Sequence, residues 1–106
     1  MDAKFSVVIM DDVLEFVEAL SVKEQNKILG AINLLGNKKF KEVYVKQLTN
    51  ILKELKVKKY RLIFFIHRSE IYFIRIFIKK SNKTPKLEIE SASKFYKSFI
   101  QFNQNI

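Results

Sequence analysis

The residues of this chain able to do chemistry are almost all cations. Arg61, Arg75, Lys79 and Lys80 lie within or just after two apolar segments, Lys53 and Lys56 in the segment before them, and Lys46 earlier still. Cysteine is absent and His67 is the single histidine, which excludes a thiolate nucleophile, a disulfide framework and a histidine metal cluster. Neither clustered carboxylates nor paired histidines occur, so no metal or other cofactor is expected. What remains is the chemistry of Lys and Arg on a polyanion: holding phosphates, with nearby Phe and Tyr rings as stacking surfaces for unpaired bases.

The distribution of charge points the same way. Residues 1–37 carry three lysines against six acidic residues, a net of −3, whereas residues 38–106 carry seventeen basic against five acidic residues, a net of +12. A formal +9 concentrated in one part of a small chain is the footprint of a polyanion binder. The plainer reading is solubility charge, or the lysine enrichment that accompanies AT-rich coding.

These cations must be positioned by a single small fold. A chain of 106 residues with 48% apolar side chains has room for one core, and residues 1–106 are expected to form one domain with 101–106 as a frayed tail. The opening MDAKFSVVIMDDV has a short apolar run closed by Asp11 and Asp12, unlike a secretory signal. The apolar stretches are strand-length and broken by Lys or Arg, so no membrane span and a cytoplasmic location are expected.

Phe5–Ile9 reads as a strand. Val13, Leu14, Phe16, Val17 and Leu20 then share one helical face, and Ser21 with Glu24 three residues on opens a second helix. That helix turns Ile28, Leu29, Ile32 and Leu35 inward and stops at Gly36–Asn37. The hairpin of these two helices carries most of the acidic residues and reads as scaffold. Residues 51–57, 60–67 and 71–80 follow as a meander of three strands. Thr84 as N-cap and Pro85 at the first helical position start a last helix, striped by Ala92, Phe95, Tyr96 and Phe99. The predicted order is βααβββα: an α+β fold with an antiparallel sheet, an N-terminal helical hairpin and a C-terminal helix, with the helices on one sheet face.

Strand alternation places Arg61, Ile63, Phe65 and His67 on one face and Tyr60, Leu62, Phe64 and Ile66 on the other. Ile71, Phe73, Arg75, Phe77 and Lys79 likewise share a face. With a three-residue loop at 68–70, His67 lies opposite Ile71 and Arg61 opposite Phe77, so Arg61, Arg75 and Lys79 converge, with Lys56 beside them. A two-residue loop would separate Arg61 from Arg75. The converging face is expected to present cations framed by aromatics to solvent. The plain alternatives are that Arg61 and Arg75 are sheet-surface charges matched to Glu54 and Glu70, and that His67 is only a polar residue beside a turn.

Several of these residues form a motif block. Glu54-Leu55-Lys56, Tyr60-Arg61, Phe77, Lys79-Lys80, Lys83-Thr84-Pro85, Glu88-Ile89 and Ala92, with Lys46 ahead of them, resemble the C-terminal block of RelE/ParE-superfamily toxins, in particular the HigB-like phage-derived branch. The resemblance covers roughly residues 43–97, with the N-terminal half agreeing in element order. Lys56 stands where the family usually has Arg, Arg75 where it often has His, and Leu87 and Ile89 where the RelE branch has a catalytic Tyr.

The resemblance implies a RelE-like fold and the toxin role in a type II toxin–antitoxin system. The implied activity is metal-free cleavage of messenger RNA on the ribosome, by attack of a ribose 2′-hydroxyl on the adjacent phosphate. In that chemistry Arg61 would hold the phosphate with Arg75 and Lys80 assisting. Lys56 would be the candidate base, its pKa lowered by neighbouring cations. Lys46, Lys53, Lys79 and Lys83 would bind RNA or ribosome backbone. A ParE-like gyrase poison shares the fold, and a non-catalytic nucleic-acid-binding domain is the other alternative. An antitoxin, in this branch often a helix-turn-helix repressor, is the implied partner, and masking of a +12 surface with apolar strands favours one on physical grounds as well.

Overall fold

The computed structural model describes residues 4–104. Its elements are β1 (Ser6–Ile9), α1 (Asp11–Glu18), α2 (Val22–Gly36), a 3₁₀ turn (Phe40–Glu42), β2 (Tyr44–Gln47), β3 (Lys53–Val57), β4 (Tyr60–His67), β5 (Glu70–Ile78) and α3 (Lys86–Gln104). They build one five-stranded sheet in the order β1-β5-β4-β3-β2, antiparallel except for the β1–β5 pair.

The expected α+β arrangement is present, with one strand more than the sequence pattern showed. All four residues of β2 are exposed, so this edge strand has no inward–outward alternation to reveal it. Residues 101–104, expected to fray, continue α3; residues 105 and 106 of that tail lie outside the described residues.

Helices cover both faces of the sheet, not one. On the first face Val13 and Val17 of α1 and Ile28, Ile32 and Leu35 of α2 pack on Leu55, Val57, Tyr60, Leu62, Phe64, Ile71 and Phe73. On the second, Ala92 of α3, backed by Ile89, Phe95, Tyr96 and Phe99, packs on Ile63, Phe65, Ile74 and Phe77. The alternation assigned to β4 therefore holds, but both sets of side chains find an apolar partner layer. Leu14 and Leu29, expected to point inward, are each 39% exposed at the margins of the hairpin.

Local signals set the helix ends. The Glu24 N–H donates to Ser21 Oγ at 3.2 Å, capping α2. At the other end Lys38 takes the left-handed conformation (φ 62°). Its N–H bonds the Leu35 carbonyl, and the Lys39 N–H bonds that of Leu34. Gly36 is needed for approach instead: a Cβ there would sit 3.0 Å from Val7 Cγ2, and its carbonyl accepts the Phe5 N–H that leads into β1.

The β4–β5 hairpin decides which cations meet. Its loop is Arg68–Ser69, two residues, because His67 pairs with Glu70 rather than Ile71. Yet Arg61 still pairs with Phe77, since a bulge at Ile74 shifts the ladder by one between Phe64–Phe73 and Ile63–Arg75. Ile71 and Phe73 therefore pack under the helical hairpin, while Ile74, Phe77 and the Arg75 side chain turn to the α3 side. The single-face assignment for 71–79 fails at Ile74, where two successive residues point the same way.

Candidate functional site

Two rows of side chains run across the second face of the sheet. Cross-strand pairing aligns Tyr44, Lys56, Arg61 and Phe77 in one row and Lys46, Glu54, Ile63 and Arg75 in the next. The α3 helix covers the Ile63 end of this face and leaves the Lys46–Lys56 end open. The opening is a cleft of about 120 Å³, walled by Lys46, Lys56, Lys79, Asn82 and Lys83, with Glu54, Arg61 and Phe77 as its floor.

The floor is built from a buried ion pair. Arg61 and Glu54 are each 5% exposed, and Arg61 Nε stands 3.8 Å from Glu54 Oε1. Arg61 Nη1 donates to the carbonyls of Lys58 (2.7 Å) and Tyr60 (2.8 Å), so one corner of the guanidinium is fixed by the β3–β4 turn. Among the described residues no buried side-chain nitrogen or oxygen lacks a partner. Among the described residues Arg61 Nη2 has no protein acceptor, so it keeps contact with solvent at the cleft. That leaves the Nε–Nη2 edge, the geometry that matches a phosphate or carboxylate, turned toward the cleft and Glu54.

Glu54 Oε2 accepts a 2.6 Å hydrogen bond from the Thr84 hydroxyl. Thr84 is thus not the cap expected of it. The Pro85 carbonyl accepts the first bonds of α3, from Glu88 and Ile89, which makes Pro85 the capping position and frees the Thr84 side chain to reach across to β3. At the rim the Lys56 ammonium lies 5.2 Å from the centroid of the Tyr44 ring. The Lys79 N–H donates to the Lys59 carbonyl, holding the strand that carries the Lys79 side chain.

Five of the eight residues singled out in the sequence meet here: Lys46, Lys56, Arg61, Lys79 and Lys83. Three do not. Arg75 lies one row beyond, with Ile63 between it and the cleft, and its Nε donates to Glu88 Oε1 of α3 at 2.8 Å. Its neighbours are Met10, Asp11, Asp12 and Phe95, not the cleft cations. Lys80 follows the end of β5 and is exposed outside the cleft. Lys53 alternates with Leu55 and Val57, so it belongs to the helical-hairpin face. His67 stacks edge-on against Phe99, 5.2 Å between centroids, away from the cleft.

Two residues that line the cleft, Glu54 and Thr84, are not among those singled out in the sequence. Glu54 stands in the motif block and, in the plain alternative, as a counter-charge for the arginines; the structure pairs it with Arg61, buried rather than at the sheet surface. Thr84 was absorbed into a capping signal. Their meeting spans thirty positions of chain, and no local pattern encodes it.

Nothing in this site is a metal centre: among the described residues no three His, Cys, Asp or Glu side chains converge. Nor is any described helix long and apolar enough to cross a membrane.

Comparison with known proteins agrees with this architecture. None of the curated proteins matches the chain. A chain in the crystal structure of the archaeal RelE–RelB complex from Pyrococcus horikoshii superposes with a TM-score of 0.60 at 15% identity, over 72% of this chain and 96% of that one. The α+β fold is thus the RelE-type fold anticipated from the motif block. Residues 15–97 match the family described as "Phage derived protein Gp49-like (DUF891)". Since that match spans α1 to most of α3, the chain is a member of the phage-derived Gp49-like family.

Proposed function

We propose that this protein is the toxin of a type II toxin–antitoxin pair, of the HigB-like branch, and that it cuts messenger RNA on the ribosome in the cytoplasm. The observation that carries this reading is the cleft: a buried Glu54–Arg61 pair under a ring of Lys46, Lys56, Lys79 and Lys83. It offers an acceptor for a proton and a set of donors for a phosphate, which is what metal-free RNA cleavage requires.

In the proposed step the 2′-oxygen of a ribose attacks the neighbouring phosphorus. Its proton passes to the Glu54 carboxylate, which Thr84 orients. The Nε–Nη2 edge of Arg61 and the ring of lysines stabilise the charge growing on the phosphoryl oxygens. The bond from phosphorus to the 5′-oxygen breaks, and Lys56 supplies the proton to the leaving oxygen. The products are a 2′,3′-cyclic phosphate and a free 5′-hydroxyl. Glu54 replaces Lys56 as base because it is the carboxylate built into the floor; Arg75 is a clamp for α3, and Lys80 and Lys53 have no part in the step.

An antitoxin is the partner this reading implies. The structural neighbour was solved as a RelE–RelB complex. Here Leu87 (78%) and Phe102 (70%) on α3 and Tyr44 (70%) on the open edge strand leave apolar area for such a partner.

Primer extension on cellular messages after brief induction tests the reading. Wild-type protein produces discrete cuts, and Glu54→Gln removes them, a loss of about 10²–10⁴ in rate for a general base. Growth arrest with DNA-damage signalling and no cuts would instead establish a gyrase poison, and unaffected growth would leave a binding module.

A further inference from the structure

The α1–α2 hairpin reads as acidic scaffold, yet Lys23 and Lys27 lie one helical turn apart on α2 and share a face. That face meets the β3–β4 turn. Lys27, Lys58 and Lys59 line, with Glu24, Val57 and Tyr60, a second cleft of about 220 Å³ on the opposite side of the sheet from the first.

The turn between the clefts is held from the Arg61 side. Lys58 takes the left-handed conformation (φ 56°), its carbonyl accepts from Arg61 Nη1, and the Lys59 carbonyl accepts from the Lys79 N–H. The backbone of the turn thus belongs to the first cleft, while the Lys58 ammonium faces Lys27. The two cations are set against each other: the charge of Lys58, then loss of solvent, and then the charge of Lys23 push the Lys27 ammonium below its ordinary pKa. Glu24 opposes this only in part. Its carboxylate is engaged by the Tyr60 phenol, whose pKa it raises by hydrogen bonding first, with burial and charge adding to it.

We propose that Lys27, Lys58 and Lys59 form a second phosphodiester site, which seats the RNA backbone after the strand leaves the Glu54–Arg61 cleft and rounds the β3–β4 turn. The inference rests on the RNA reading of the first cleft. Clustered ammoniums that Glu24 offsets only in part gain from a bridging phosphate, and a site sharing one turn with the cleft is aligned with the strand that the cleft holds. An acidic protein segment is the competing occupant; RNA is favoured because the site shares the β3–β4 turn with the cleft that holds the strand.

The test uses the full chain and 2′-O-methyl oligoribonucleotides, which cannot be cut by 2′-oxygen attack. One oligonucleotide is short enough for the first cleft alone, about four nucleotides, and the other is about twelve, within the range that single-strand sites span. For the long one, a Lys27→Gln/Lys58→Gln variant loses on the order of tenfold in affinity near 0.1 M salt, and the slope of log K against log salt falls by about 1.4. The short one binds as to wild type.

Equal binding of the long oligonucleotide by variant and wild type overturns the second site and leaves the cleft reading standing. A loss shared by the short oligonucleotide also overturns it, since the lysines would then act on the first cleft. An equal loss for polyglutamate shows a general anion patch and overturns the assignment to RNA. If wild type binds neither oligonucleotide, both the inference and the RNA reading fall. Both lysines are exposed, so thermal melting of the variant serves as the check that its fold is unchanged.

Discussion

The Thr84 hydroxyl donates to Glu54 Oε2 at 2.6 Å, joining the loop ahead of α3 to the carboxylate on the floor of the cleft. Thr84→Val keeps the shape and removes the donor. A hydrogen bond to a charged group contributes about 1.5–3 kcal/mol, so chemical denaturation should show a loss of that order. Cleavage should slow while affinity for uncleavable RNA holds, because Thr84 orients the base and touches no phosphate. Weakened RNA binding with normal cleavage would contradict this role.

Arg61→Ala is expected to abolish cutting, but not on an undisturbed fold. It leaves the Glu54 carboxylate 5% exposed without its cation and frees the carbonyls of Lys58 and Tyr60. Removing one partner of a buried pair costs about 3–5 kcal/mol. Arg61→Ala/Glu54→Leu removes both charges and should recover much of that stability without recovering activity. A double variant no more stable than the single would show that the pair is not coupled.

Arg75 and Glu88 should behave as an ordinary half-exposed ion pair. Their side chains are 34% and 21% exposed, and a double-mutant cycle to Ala should give a coupling of about 1 kcal/mol or less. Arg75→Ala should leave the cleavage rate within a few-fold of wild type. A loss comparable with that of Arg61→Ala would return Arg75 to the site.

Two phenols contribute to the alkaline limb of stability. Tyr60 is raised by its bond to Glu24 and by burial, and Tyr72 by burial and then by its bond to Glu70. With the folded pKa above the unfolded value of about 10, their contribution is complete below pH 10 and is lost as pH climbs through the folded values. Denaturation midpoints should fall as pH climbs above about 10, and Tyr60→Phe/Tyr72→Phe should flatten that fall. An unchanged profile in the double variant would remove both phenols from the account.

Phe65 anchors α3 to the sheet. It is fully buried, with its ring 4.9 to 6.4 Å from those of Tyr96, Phe99 and Phe95. Phe65→Ala should cost about 3–5 kcal/mol. Hydrogen exchange along residues 86–104 should rise more than in α2, whose core lies on the other face.

Much of this protein is written in short-range pattern. Ser21 and Glu24 mark the start of α2, the alternation of Tyr60–His67 sorts β4 into its two faces, and the Tyr-Arg to Lys-Thr-Pro block identifies the family, because each depends on residues a few positions apart. The excess of cations in residues 38–106 likewise requires no fold to be seen. Tertiary structure decided the rest. Both faces of β4 are apolar, so alternation alone could not say that α3 would cover the second. A bulge at Ile74 leaves little trace in composition, yet it turns Phe77 and Arg75 to the α3 side, with Ile63 between Arg75 and the cleft. Glu54 gains the Thr84 hydrogen bond only because a loop thirty residues away folds back onto β3. Pairings at that separation are selected by packing of the whole chain, and no local run of residues contains them.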